Sequence, residues 1–247
     1  VDGMDNSSPA LNFVLGNLLG MSELDVFSVE LLPGASSALY GANAFNGILF
    51  MKSKSPFTFP GISAYYKQGM TVQDAAGTNP YYDLGVRVAH KFSEKFAAKA
   101  NFSYLKGTDW YAVSEEDVLN PGRDRSHPNY DGLNIYGDEV STNIRQVGVA
   151  LANMDRIPSG AENLLPNVAV SRTGYLEPAL TDYEAESIKF DAALHYRPFE
   201  DDFEISYLGK AGLGATIYQG ANRYSLKNFF LQQHKLEVSN NNFFVRG

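Results

Sequence analysis

Apolar and polar side chains alternate over long runs of this chain, and a period of two predicts β-strands from about Pro56 onward. In "GISAYYKQGMTV", Ile62, Ala64, Tyr66, Met70 and Val72 share one face, with Gln68 as its polar exception. Ser63, Tyr65, Lys67 and Thr71 share the other. "LGVRVAHKF" sets Leu84, Val86, Val88 and Phe92 against Gly85, Arg87, Ala89 and Lys91. "FAAKANFSY" sets Phe96, Ala98, Ala100, Phe102 and Tyr104 against Lys99, Asn101 and Ser103. "IKFDAALHYR" opposes Ile188, Phe190, Ala192, Leu194 and Tyr196 to Lys189, Asp191, His195 and Arg197. "FEISYLGKAGLGATIY" opposes Phe203, Ile205, Tyr207, Leu213 and Ile217 to Glu204, Ser206, Lys210 and Thr216. The run 226–238 alternates irregularly, so the pattern assigns it no faces. With "FFVRG" beginning another strand, the chain carries about six strands and the start of a seventh.

The connections sharpen this picture. Only Ser93, Glu94 and Lys95 separate Phe92 from Phe96, and only Glu200, Asp201 and Asp202 separate Phe199 from Phe203. Longer connections are expected at about 73–80, at about 218–225 and across 108–183. Short turns at one end and long loops at the other is the pattern of an outer-membrane β-barrel, and the Phe pairs at both short turns fit its aromatic girdle. Candidate strands run about 10 to 15 residues, against about 5–6 for an ordinary strand and about 9–11 for a membrane strand. A soluble barrel turns its apolar face inward and presents the same alternation. With lipid outside, Arg87, Lys99, Lys189 and Lys210 face the lumen, because each costs roughly 2–4 kcal/mol at the bilayer midplane. The stretch 108–183 is too long for a structureless connection and predicts local structure such as a short hairpin or helix.

Composition narrows the function classes. The 247 residues suffice for one large β domain or two ordinary ones. A formal charge of −8 and a pI of about 5.0 provide no basic field for nucleic acid. Without Cys there is no disulfide, thiolate metal site or Cys nucleophile. No apolar run reaches the roughly 18 residues of a membrane helix, so any membrane role falls to strands. The opening "VDGMDNSSPALNF" has no initiator Met, basic region or apolar leader core, and it reads as the middle of a domain. The chain is therefore expected to be a piece of a longer protein.

Residues 1–55 differ in kind. "VFSVELLPG" reads as a strand into a turn, and Ser36 or Ser37 is placed to cap a short helical run, "SALYGANAF". Asn46-Gly47 then turns the chain, and "ILFMKSK" leaves as another strand. Neither GxGxxG nor GxxxxGK[ST] is present, so the glycines are no phosphate cradle. "VDGM" followed by "FSVELLPGASSALYGANAFNGILFMKSKSP" resembles the second half of the plug domain of TonB-dependent outer-membrane receptors, in wording most like those of Bacteroidetes-type bacteria. Glu30, Gly34, Ser37-Ala38-Leu39-Tyr40-Gly41, Asn46-Gly47 and Lys52 hold the family's places. Pro33 stands where many members have Arg or Lys, and Ala35 where Pro often follows the turn glycine.

The resemblance implies an all-β transmembrane fold, a 22-stranded antiparallel barrel with a small α+β plug inside. Residues 1–55 would be the C-terminal part of the plug, and 56–247 the first barrel strands with 108–183 as a long extracellular loop. It implies TonB-dependent active import of a nutrient (siderophore, vitamin, glycan or peptide) across the bacterial outer membrane, with the plug gating the barrel. The implied partners are outer-membrane lipid, the TonB–ExbB–ExbD energy complex through a segment preceding this chain, and a surface lipoprotein or assembly machinery. The alternatives are a passive or structural outer-membrane barrel, a barrel captured as client of an assembly or secretion machine, and a soluble binding barrel.

No catalytic chemistry, cofactor or metal site is expected. GxSxG and HExxH are absent, and His90, His127, His195 and His234 are scattered, with His195 read as solvated or hydrogen-bonded. Arg87, Lys99, Lys189, Asp191, Arg197, Glu204 and Lys210 either pair with the plug and each other or line a path for an anionic substrate. In the long loop, Trp110, Tyr111, Tyr130 and Tyr136 are candidates to stack on a ligand, and Arg123 and Arg125 to hold carboxylates or phosphates. Glu115, Glu116, Asp117, Asp124, Asp131 and Asp138 lack the order of a calcium-binding EF-hand loop.

Overall fold

Strands form where the alternation predicts them. The computed structural model describes residues 1–7, 14, 18–34, 47–199, 202–220 and 222–247. Its main feature is one sheet built from β3 (Gly61–Gln73), β4 (Gly77–Lys91), β5 (Phe96–Thr108), β10 (Glu184–Tyr196), β11 (Glu204–Gln219), β12 (Arg223–Ser239) and β13 (Phe244–Arg246). Each strand lies beside its successor in this series, and the pairings from β4 through β13 are antiparallel. The sheet is open, with β3 and β13 at its edges. No helix among the described residues is long and apolar enough to cross a membrane.

The connections depart from the expected asymmetry. β3 and β4 continue to Gln73 and Gly77, and β11 and β12 to Gln219 and Arg223. The connection expected at 73–80 is therefore a tight turn at 74–76, and the strands flanking the one expected at 218–225 run on to Gln219 and from Arg223. Gln73, Asp74, Gly77, Asn79 and Pro80 read as loop by composition. Most of them extend the ladder instead, and Gly77 at φ +70° takes the left-handed turn conformation. Only 109–183 is long. On the opposite end Ser93 Oγ accepts from Lys95 N and Phe96 N, while Asn240 Oδ1 accepts from Asn242 N and Phe243 N.

The irregular alternation of 226–238 has a backbone cause. Gly214 pairs with Phe229 but Thr216 pairs with Leu226, so one extra residue bulges from β12. Asn228 sits there at φ +52°. The bulge switches β12 from even to odd numbers on the polar face, which carries Tyr224 and Leu226 before it and Gln233, Lys235 and Glu237 after it.

The chain divides into two compact units, one of 1–72, 78–109 and 184–247, the other of 73–77 and 110–183. Within the first, β1 (Val26–Pro33) and β2 (Gly47–Ser53) form a separate antiparallel pair, and the segment 18–25 lies against the polar face of the large sheet. The expected helical run at 37–45, with Ser37, Tyr40, Gly41 and Asn46 of the motif, lies outside the described residues. Glu30 is on β1, Gly34 follows it at φ +89°, and Gly47 opens β2.

The second unit has its own small elements. β6 (Ile135–Tyr136) pairs with β9 (Tyr175–Leu176), and β7 (Ser141–Asn143) with β8 (Ala169–Ser171). Helix α1 (Ile144–Asn153) is capped by Asn143, whose side chain accepts from Gln146 N.

Candidate functional site

The site begins with the short sequence Ser22-Glu23-Leu24-Asp25. These residues form a 3-10 turn whose Ser22 hydroxyl accepts from Leu24 N, and the turn delivers Asp25 onto the sheet with 2% of its surface exposed. Arg87 Nε on β4 donates to Asp25 Oδ1 at 2.7 Å, and Lys99 Nζ on β5 donates to Oδ2 at 2.7 Å. Asn101 Nδ2 approaches Oδ2 at 3.3 Å and reaches Asp191 Oδ1 on β10 at 2.7 Å.

Backbone carbonyls extend the arrangement, while Arg87 Nη2 and Asn101 Oδ1 make no hydrogen bond among the described residues. Arg87 Nη1 donates to Phe59 O and Lys99 Nζ to Lys54 O, while Lys54 N donates to Asp25 O and Lys54 Nζ to Leu24 O. A buried ion pair needs such additional bonds to offset the desolvation of its charges. Segment 18–25 comes close enough that a Cβ at Gly212 would lie 2.0 Å from Leu18 O, so glycine is required on β11 there.

Cross-strand register gathers the polar residues into rows. Arg87, Asn101, Asp191, Lys210 and Gln233 lie opposite one another in turn across the sheet. Ala89, Lys99, Ala193, Leu208 and Lys235 form the next row. Lys189 Nζ reaches Gly20 O at 3.5 Å. Lys210 is 7% exposed, and its ammonium makes no hydrogen bond among the described residues. Nearer the 197–203 turn, Glu204 takes His195 Nδ1 on one oxygen and Arg197 Nε on the other, each at 2.8 Å. Of the seven charged positions predicted for this face, Arg87, Lys99, Lys189, Asp191, Glu204 and Lys210 lie on it, and Arg197 lies just past the end of β10.

The opposite face is apolar and bare. Val88, Phe102, Phe190, Leu194, Leu213, Phe230 and Leu236 are exposed on it, and nothing among the described residues covers them. Phe92 and Phe96 contact each other at 5.3 Å, and Phe199 and Phe203 at 5.6 Å, where the turns close.

The loop candidates are dispersed in the second unit. Tyr130 is 4% exposed and donates to Glu115 O; Tyr136 donates to Glu177 Oε2 at 2.6 Å. Tyr111 stacks on buried Tyr183 at 3.7 Å. Glu177 also takes the Tyr183 hydroxyl and Ala112 N on its other oxygen, so Tyr136 and Tyr183 share one buried carboxylate. Trp110 is exposed, and Arg125 Nη2 donates to Thr173 O. Arg123 is half-buried. Burial by itself raises the Asp117 carboxyl, but N–H donors from Asn120, Asp131 and Leu119 outweigh it and hold it below the ordinary range. Asp131 is raised by burial and then by the charges of Asp138, Glu139 and Asp117. No group of three or more His, Asp or Glu among the described residues is arranged to hold a metal ion.

Asp25 escapes a reading based on strand alternation, because it belongs to a turn between elements. Its signal is the Ser-x-x-Asp spacing at 22–25, the pattern of a capped helical turn. No protein-family model, curated protein or solved structure matches the chain.

Proposed function

We propose that the chain is the plug-and-wall portion of a TonB-dependent transporter, which imports a nutrient across the bacterial outer membrane. On this reading the sheet is part of a 22-stranded barrel, segments 1–55 belong to the plug, and the buried Asp25 pairs hold the plug against the wall. Import is binding followed by mechanical displacement of the plug, with energy delivered by the TonB complex through a segment preceding this chain.

The carrying observation is the polarity of the two faces. A soluble sheet buries its apolar face; here the polar face is covered and the apolar one is bare. The height of the bare face fits a membrane. The row joining Phe96 and Tyr196 is separated from the row of Tyr82, Lys106 and Glu186 by ten residues, as the numbering gives. Ten residues span about 33 Å along a strand, and a tilt of about 35–45° reduces this to about 25 Å, the height of an outer-membrane apolar band. Between those rows the bare faces of β4, β5, β10, β11 and β12 carry no Asp, Glu, Lys or Arg. At the far row Lys106 pairs with Glu184 at 2.6 Å.

Planar-bilayer conductance of the full-length protein tests the reading against a passive barrel. The plugged transporter is expected to conduct little as purified and to open stable channels when residues 1–55 and the preceding plug segment are deleted. Steady conductance of the intact protein would favour the passive barrel and sink the gating role.

A further inference from the structure

Two polar side chains, Gln232 and His234 on β12, stand exposed in the middle of the bare face. The row of His234 runs through Gly209, Ala192 and Ala100, and that of Gln232 through Ala211, Phe190 and Phe102. Ala100 and Phe102 lie four and six residues along β5 from Phe96, so the two polar groups straddle the centre of the ten-residue apolar band. We propose that this patch is the contact between two copies of the chain, related by a two-fold axis along the membrane normal. The proposal rests on the membrane reading of the bare face and not on nutrient import.

Hydrogen bonding points to the occupant. The Tyr207 hydroxyl and His234 Nδ1 satisfy each other at 2.7 Å, with their rings nearly parallel at 19°. His234 Nε2 and the Gln232 side-chain amide have no hydrogen-bond partner among the described residues. Acyl chains offer neither donor nor acceptor, and polar side chains at membrane depth bond to other protein groups instead. A second copy inserted in the same orientation presents the same groups at the same height. Gln232 carries both a donor and an acceptor, so it pairs with its counterpart or meets Nε2 in either tautomer of the imidazole. That self-complementarity is what an isologous two-fold contact requires.

The relief of the patch suits close approach. Ala100, Ala192, Gly209 and Ala211 are small, and small residues let two membrane surfaces come together. The Tyr207 hydroxyl and His234 Nδ1 lie over Gly209, 3.4 Å and 3.5 Å from where a Cβ would stand. Leu213, Phe230 and Leu236 are exposed around them and form an apolar rim.

The 247 residues hold no cysteine, so Gln232→Cys, made the one thiol of the full-length protein, reports the contact by oxidative cross-linking in native membranes. A product of twice the parent mass is expected. Val88→Cys lies in the row of His234 but four strands away, about 19 Å across the sheet, and should yield at most about a tenth as much. Absence of the double-mass product from Gln232→Cys, an equal yield from Val88→Cys, or a product of any other mass overturns the proposal. Maleimide labelling of Val88→Cys separates that failure from failure of the membrane reading. Reaction with an apolar maleimide alone keeps lipid around the face, whereas ready reaction with a charged one removes both readings. Gln232→Leu keeps the face apolar and should raise the dissociation constant of the detergent-solubilised dimer about tenfold, the loss of one inter-copy hydrogen bond. An unchanged constant overturns the hydrogen-bonded contact.

Discussion

Asp25 joins two strands and a turn through one carboxylate, so its removal has consequences larger than one lost contact. In Asp25→Asn the Arg87 and Lys99 cations remain buried without their counter-charge. Breaking such a pair from one side costs about 3–5 kcal/mol. Segment 18–25 is expected to detach at lower urea than the sheet unfolds, read by limited proteolysis; an unchanged release midpoint would mean that backbone contacts alone hold it. Gly212→Ala tests the same docking from the other wall. A methyl group there meets the Leu18 carbonyl, and overpacking of this kind costs about 1–3 kcal/mol. Hydrogen exchange of 18–25 should speed up while β11 keeps its protection. Sequence alternation placed Arg87, Lys99 and Asn101 on one face, but it had no means of naming the carboxylate they converge on. That convergence spans sequence separations of 62 to 76 residues.

At the scale of elements, the strand faces were legible and some connections were not. Alternation along β4, β5, β10 and β11 identifies both faces because successive side chains point to opposite sides. The same rule fails at the β12 bulge, where Asn228 shifts the parity. The rule is also silent on burial: Ala89 lies on the polar face, as the alternation has it, yet is 3% exposed. A pair of lysine substitutions compares the two faces. Phe190→Lys places a cation mid-band on the bare face, costing about 2–4 kcal/mol at the bilayer midplane. Ser187→Lys places it on the polar face. In lipid vesicles the first variant should fold in much lower yield than the second, and equal yields would reject lipid as the medium around the bare face.

At the scale of the molecule, the second unit responds to pH through its own carboxylates. Asp131 in the second unit is raised, so the folded form keeps a proton that the unfolded chain loses. Its unfavourable charge is relieved as pH falls through the raised value toward the ordinary one of about 3.9. Asp117 and Asp124 are lowered, so what they contribute is full above about 3.9 and is lost as pH falls through their lowered values. Hydrogen-exchange protection over 110–183, corrected for intrinsic rates, is expected to rise on mild acidification and fall below about pH 4. Asp131→Asn should remove the rise and leave the fall. A second test belongs to the Glu177 cluster, where Glu177→Ala removes the carboxylate that accepts from the Tyr136 and Tyr183 hydroxyls and from Ala112 N. A hydrogen bond to a charged group is worth about 1.5–3 kcal/mol. Loss of protection should be confined to this unit.

The sequence by itself determined most of the strands, their two faces and the breaks near residues 108 and 183, because these depend on local period and composition. Alternation states only that two faces differ. Which face is covered depends on what packs against it, and that was decided by the tertiary structure when segment 18–25 docked on the basic side. The same docking chose Asp25 as the anchor and left the apolar face bare. It also enclosed a cavity beneath β2, since such a space exists only where segments far apart in the chain meet.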